Sequence, residues 1–284
     1  MLWSYAKDKR VSSQDLAIQL SEDELGTFRG MRVFSTAVSA NHRLFRAEAH
    51  LDRIITAAHA IGMPPVLDKP TIAKLIQDTL AANPADLLMV RLVLSGCMTQ
   101  AGIQSQFYMY VTPMPVYAPQ LYQHGATLGT YPHQRPLAPV KLTYYVQAYL
   151  AKAQLGNSAD YPLYITPDDA GLILEGDTYN IAFVHNNCII TPYADETILN
   201  GITRQCLPEV AATLNMTYKE ATIPHTSISQ YTACFMTTSL RFIMPVQRIN
   251  QVAFKIDPVR DIQAAFQAMF KSETGHHLTQ LDSV

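Results

Sequence analysis

Two periods of apolar and polar positions run along the chain, and the switches between them mark its elements. RVFSTAVS (32–39) and RLFR (43–46) read as strands joined at Ala40-Asn41-His42. Over 48–61 the apolar positions Leu51, Ile54, Ile55, Ala58 and Ile61 fall on one helical face, and Gly62 followed by Pro64 stops the helix. Pro70 starts a second helix with Ile72, Leu75, Ile76 and Leu80 on one face. LLMVRLVL (87–94) and SQFYMYVT (105–112) read as strands of a sheet. Residues 1–31 show no such period; 12–25 reads as a short helix or a loop.

Six prolines between residues 113 and 139 predict an irregular connection, with room for one short strand near 126–129. A helix over 142–155 follows, closed by Gly156-Asn157. Strands over 161–166 and 172–175, then 178–185 and 188–191, are separated by Pro-Asp-Asp-Ala-Gly and Asn186-Asn187 turns, the signature of two hairpins. A helix over 203–214 requires Pro208 to lie in its first turn. Strands over 233–239 and 244–249 precede a last amphipathic helix opened by Asp257-Pro258, with a frayed polar tail after Lys271. The pattern predicts an α/β (α+β) protein: an N-terminal domain over 1–112, a Pro-rich connection over 113–139 and a second domain over 140–284.

The stretch 161–204 carries the densest chemistry. Glu175 ends a strand among Leu172, Ile173 and Leu174, too apolar a setting for a carboxylate without partners. Leu199-Asn-Gly-Ile-Thr-Arg204 then opens a helix with a Gly-containing turn, where unpaired backbone N–H groups suit a phosphate. A net charge of −2 gives no footprint for nucleic acid. The four cysteines lack metal spacing and sit in apolar runs, as buried thiols of a reducing compartment do. No long apolar run opens the chain or spans a bilayer, so neither a signal peptide nor a membrane segment is expected, and a cytoplasmic location is. Of nine histidines, no pair outside His276-His277 has ligand spacing, and no metal site is expected.

The run LEGDTYNIAF…ITP…ILNGITRQ resembles the signature of the class IV aminotransferases, the fold-type IV pyridoxal-phosphate enzymes. That family includes branched-chain and D-amino-acid aminotransferases and 4-amino-4-deoxychorismate lyase. The likeness recurs in order at His50-Leu-Asp-Arg53, Val140-Lys141, Thr238-Ser239-Leu240 and Met244-Pro245-Val246. It implies two α/β domains with pyridoxal 5'-phosphate in the cleft between them, and a homodimer.

The resemblance also implies roles. Lys141 is the Schiff-base lysine and the base that moves the substrate's Cα proton; read alone it is a solvated charge at a helix start. Glu175 partners the pyridine nitrogen. Arg53, one helical turn from His50, is the phosphate arginine, with Asn180, Gly201, Ile202, Thr203, Thr238 and Ser239 completing the cofactor site. Arg204 is structural in the family. Phe34, Tyr144 and Leu240 are candidates to line the substrate. Ser35 stands where the family often has Glu. Thr36 is a threonine, as in the lyases, and a second catalytic candidate. The loop 95–102 lacks the arginine that relatives use for a substrate carboxylate, which leaves Arg29, Arg32 or Arg135 as stand-ins.

The implied function is transfer of an amino group between an amino acid and a 2-oxo acid. The alternative within the family is a lyase releasing pyruvate from aminodeoxychorismate. A third, non-enzymatic reading is a degenerate member that only binds the cofactor or a partner; the intact Lys141, Glu175 and Arg53 set argues against it.

Overall fold

The computed structural model describes residues 1–278. The chain divides into two compact units. One comprises Met1–Pro115, Val140–Tyr144 and Glu273–His276; the other comprises Val116–Pro139, Tyr145–Ser272 and the described residues after His276.

The first unit is one antiparallel sheet backed by two helices. Its strands are β1 (Trp3–Ala6), β2 (Lys9–Ser12), β3 (Arg32–Ala40), β4 (Arg43–Leu44), β5 (Leu87–Thr99) and β6 (Gly102–Pro113), in the order β2-β1-β6-β5-β3-β4. Helices α1 (Ala47–Ala60) and α2 (Lys69–Ala81) cover one face. Asp68 starts α2 by accepting from the Thr71 N–H (3.0 Å). Gly62 ends α1 at φ +72°, a left-handed turn that costs a glycine little, while Met63 N–H returns to the Ala58 carbonyl. The apolar stripe of α1 and α2 (Leu51, Ile54, Ala58, Ile72, Ile76, Leu80) packs on Val33, Ala37, Val90, Leu92, Leu94 and Met109. Alternation along β3 therefore sends Val33, Ser35 and Ala37 towards α1. Phe34, Thr36 and Val38 point to the opposite face.

The second unit is built on a nine-stranded mixed sheet. Its strands are β7 (Ala126–Pro132), β8 (Tyr161–Ile165), β9 (Ile173–Gly176), β10 (Asn180–His185), β11 (Cys188–Thr191), β12 (Thr217–Glu220), β13 (Ala233–Thr238), β14 (Phe242–Ile249) and β15 (Val252–Ala253). The order is β12-β11-β10-β13-β14-β7-β8-β9, with β15 on β14. Both predicted hairpins form, and β9, which carries Glu175, is an edge strand. Helices α3 (Pro119–His124), α4 (Val146–Leu155), α5 (Ile202–Gln205), α6 (Leu207–Thr213) and α7 (Asp257–Thr274) complete the unit. Phe242 is seated between Phe266 and Phe270 of α7, with ring centroids 5.8 and 5.4 Å away.

Several elements differ from the sequence reading, each for a local reason. The first 31 residues hold a hairpin, β1–β2, too short to show a period, and a one-turn π-helix at Glu24–Phe28. The β5–β6 ribbon runs on through Ser95↔Gln106 to Thr99↔Gly102, where main-chain pairing persists without apolar alternation. The helix expected from 142 begins at Val146, because 141–143 is held beside β3: Phe34 N–H donates to the Lys141 carbonyl (3.1 Å) and Thr143 N–H to that of Arg32 (3.4 Å). The helix expected over 203–214 is two, since Pro208 sits in the first turn of a new one. The segment 113–139 contains α3 and all of β7. The last helix runs past Lys271 to Thr274, and Leu278 is buried; the rest of the expected frayed tail, 279–284, lies outside the described residues.

Candidate active site

Lys141 is placed by main-chain pairing, not by a helix. Its carbonyl accepts from Phe34, Val33 bridges to Leu142, and its Nζ lies 4.9 Å from the Phe34 ring centroid. The negative face of the ring attracts the ammonium and orients it in this half-buried setting.

Behind this strand, β3 meets α1 through a small polar network in an otherwise apolar layer. Ser35 Oγ lies 2.7 Å from both Arg53 Nη2 and His50 Nδ1. Guanidinium only donates, so Ser35 accepts from Arg53 and turns its own proton to His50. That assignment makes Nδ1 the acceptor and puts the ring proton on Nε2. Burial, then the charges of Arg53 and Lys141, push the His50 pKa well below its ordinary value, so the ring is neutral. Arg53, on its own a plausible surface charge, is half-buried and aimed by Ser35.

The open face of the sheet carries a row the sequence reading did not single out. Thr36 pairs with Arg91, and Arg91 with Tyr110, so all three project from one face, next to Phe34, Val93 and Tyr108. Among the described residues, Arg91 has no protein acceptor. The three arginines considered for a substrate carboxylate are committed elsewhere. Arg29 pairs with Glu24 (3.1 Å). Arg32 pairs with buried Asp23 and donates to Ser95 Oγ (3.0 Å). Arg135 pairs with Glu175. Arg91 was legible only through the register that sets it opposite Thr36.

In the second unit Glu175 is 5% exposed and fully engaged. Its Oε1 accepts from Arg135 Nε (2.9 Å) and Nη2 (2.7 Å), and its Oε2 from Asn180 Nδ2 (3.3 Å) and the Leu199 N–H (3.2 Å). Asn180 also donates to the Leu199 carbonyl (2.7 Å), which ties Glu175 to the turn that leads into α5. At Gly201 a β-carbon would stand 2.1 Å from Asn180 Oδ1, so only glycine lets that turn lie on Asn180. Helix α5 starts at Ile202 and Thr203 with no side-chain cap. Asn180 pairs with Thr237, which sets the β13–β14 turn beside this strand. In that turn Thr238 Oγ1 accepts from the Leu240 N–H (3.4 Å), and Thr238, Ser239 and Leu240 are half-buried. Phe242 closes it at φ +57°, a costly conformation for a bulky residue, held by its packing on α7. Arg204 is buried and bonds Asn200, the Pro192 carbonyl and Glu220. Tyr144, in the first unit, is exposed.

The structure thus places Phe34, Thr36, Arg53 and Lys141 in one unit, Arg53 on the α1 side of β3 and Phe34 and Thr36 on the other, and Glu175, Asn180, Gly201, Ile202 and Thr203, with the Thr238–Leu240 turn, in the second unit. Among the described residues no group of three or more His, Cys, Asp or Glu could hold a metal ion, and no helix is long and apolar enough to cross a membrane.

The family model for "Amino-transferase class IV" matches residues 28–249. The chain belongs to the class IV aminotransferases, and it is an enzyme of that family. It is 27% identical over 284 residues, 94% of each chain, to a Methanocaldococcus jannaschii protein provisionally named a branched-chain-amino-acid aminotransferase. It is 24% identical over 265 residues, 89% of each chain, to the aminodeoxychorismate lyase of Bacillus subtilis. The fold matches that of the branched-chain aminotransferase of the archaeon Thermoproteus uzoniensis, solved with norvaline. The TM-score is 0.82 at 19% identity, over 99% of this chain and 97% of that one. The mixed helix-and-sheet, fold-type IV class expected from the sequence is therefore the right one.

Proposed function

We propose that the protein is a pyridoxal 5'-phosphate-dependent aminotransferase that moves an amino group between an amino acid and a 2-oxo acid. The observation that carries this reading is Glu175, a buried carboxylate paired with Arg135 and hydrogen-bonded by Asn180 and Leu199. An anion so fixed suits a pyridinium nitrogen. The residues present fit the cofactor. In the second unit the uncapped start of α5, the Gly201 cradle against Asn180 and the Thr238–Ser239 hydroxyls suit a phosphate, and in the first unit so does the Arg53 guanidinium. Lys141 would hold it covalently.

The chemistry that bound pyridoxal phosphate supplies is an electron sink for the substrate's Cα carbanion. The chain's own residues do the rest. Lys141 Nζ would take the proton from Cα and deliver it to the cofactor's C4′ carbon, so that the amino group leaves with the cofactor. Glu175 keeps the pyridine nitrogen protonated. Phe34 shields the lysine, and Arg91 receives a substrate carboxylate on the face it shares with Thr36.

A second reading, the lyase that releases pyruvate from aminodeoxychorismate, is favoured by one observation: the Thr36 hydroxyl projects beside Arg91, where a second proton-handling group would be required. Incubating the loaded protein with a panel of amino acids and with aminodeoxychorismate separates the two. Conversion of the cofactor to its amine form supports transamination, and stoichiometric pyruvate supports the lyase.

We also place the protein in the cytoplasm, with four free cysteines as support, and read it as a homodimer. Val146, Tyr149 and Leu150 form an exposed apolar face on α4 at helical spacing. Sedimentation at micromolar concentration tests the dimer.

A further inference from the structure

We infer that Arg135 is a positioning residue for Glu175: it engages Oε1 through two N–H groups, keeps the carboxylate ionised, and presents Oε2 as the oxygen that meets the cofactor's pyridine nitrogen. This rests on the cofactor reading above and deepens it.

The geometry divides the two oxygens. Oε1 takes two short charge-assisted bonds from Arg135, Nε (2.9 Å) and Nη2 (2.7 Å) converging on the one oxygen. Oε2 takes two longer neutral bonds, 3.3 Å from Asn180 and 3.2 Å from Leu199, which fix its direction. Arg135 is itself anchored, because the same Nη2 donates to the Ala138 carbonyl at 2.6 Å. Its Nε and Nη2 are thus both committed, and the side chain does not serve a substrate carboxylate.

Charge explains why an arginine is needed. A carboxylate as buried as Glu175 favours its neutral form unless a cation stands beside it. Protonated, it would present an O–H donor to a nitrogen that must itself donate. Of the other titratable groups nearby in this unit, Arg241 donates to Thr178, and the tyrosine, histidine and aspartate supply no cation. Burial raises the Tyr164 phenol far above its ordinary range, so it stays neutral. Burial and then Arg135 lower the His133 imidazole, so it too is neutral. Asp177, two residues along, is acidic, with its carboxyl raised by burial against the pull of Arg241.

The test reads Glu175 directly. In apoprotein carrying ¹³C-labelled glutamate carboxyls, the Glu175 signal is identified by its loss in Glu175→Gln. In the unaltered protein it should hold the shift of an ionised carboxylate from about pH 6 to 8, well above an ordinary glutamate's pKa. In Arg135→Gln it should titrate within or above that window, and Arg135→Lys, which keeps the charge, should restore the flat profile. In the loaded enzyme, Arg135→Gln should lose turnover about tenfold for each pH unit below the new ionisation and recover as pH rises. Glu175→Gln should be slow at every pH. A Glu175 signal that titrates in the unaltered protein, or one unmoved by Arg135→Gln, overturns the inference. So does an Arg135→Gln enzyme that raises only the KM for carboxylate substrates. Failure of the protein to take up pyridoxal phosphate would instead sink the cofactor reading, and the apoprotein measurement would still stand.

Discussion

Arg53 donates through Nη2 to the Oγ of Ser35 at 2.7 Å, a bond that ties the α1 guanidinium to β3. The family's more frequent glutamate at the serine position would bring a negative charge to the arginine; a serine accepts the bond without one. Arg53→Ala should lower cofactor affinity tenfold or more. Charge-assisted hydrogen bonds contribute about 1.5–3 kcal/mol each, and tenfold corresponds to about 1.4 kcal/mol. Titrating apoprotein with pyridoxal phosphate measures it. An unchanged affinity would remove Arg53 from the phosphate site.

His50 supplies a pH prediction. Its folded pKa is depressed below the unfolded value by burial first, then by Arg53 and Lys141. Below about pH 6.5 the unfolded chain therefore binds a proton that the folded chain does not. The sign is that stability is complete above this pH and falls as pH drops through the window below it. The fall in Tm between pH 7 and 5 should be steeper in the unaltered protein than in His50→Gln, where the titrating ring is gone. Parallel profiles would mean that His50 is protonated in the fold.

How far the sequence reveals the site follows from what each residue depends on. Phe34, Arg53, Glu175 and Gly201 lie in or next to regular elements whose period is plain, and both hairpins and both N-terminal helices were readable. The partners were not. Arg135 meets Glu175 forty residues on, from a Pro-rich segment without periodicity. Arg91 meets Thr36 only through a strand register. Lys141 reads as a helix start, yet pairing with β3 holds the chain extended there until Val146. Long-range pairing overrode local pattern in each case.

Gly201 and Asn180 form a steric couple. A β-carbon at Gly201 would meet Asn180 Oδ1 at 2.1 Å, and Asn180 is held by Glu175 and Leu199. Gly201→Ala should cost about 1–3 kcal/mol, the range for overpacking, read by urea unfolding of the apoprotein. Adding Asn180→Ala removes the obstruction, so the double variant should lose less than the two single losses combined. Strict additivity would show that the turn yields elsewhere.

Lys141 and Lys152 are the two lysines in the segment 141–155, and the structure separates them. Lys152 Nζ is tied to the carbonyls of Ala159 (2.7 Å) and Asp160 (2.9 Å). Lys141 Nζ faces Phe34. Borohydride reduction of the loaded protein should fix the cofactor to the peptide that holds Lys141, as read by mass spectrometry, and Lys141→Ala should abolish turnover. Label on Lys152 would overturn the assignment.

Thr36 and Arg91 decide between the two reactions. If Arg91 receives the substrate carboxylate as proposed, Arg91→Met should raise KM in either reaction, with little change in cofactor affinity. Only the lyase needs a further proton delivered on the substrate side, because the bond to the departing pyruvate breaks there. A threonine hydroxyl has too high a pKa to give up its proton unaided, but it can relay one. Thr36→Val keeps the branched shape that suits the strand and removes the relay. For a lyase, pyruvate release should fall by about 10²-fold, the lower end of lost acid–base assistance. For an aminotransferase, the half-reaction with amino acids should change less than about threefold, since Lys141 handles every proton and a hydroxyl-to-methyl change on an open face has small effects. We expect the second outcome. A protein that releases pyruvate, and loses that release in Thr36→Val, would make the chain a lyase.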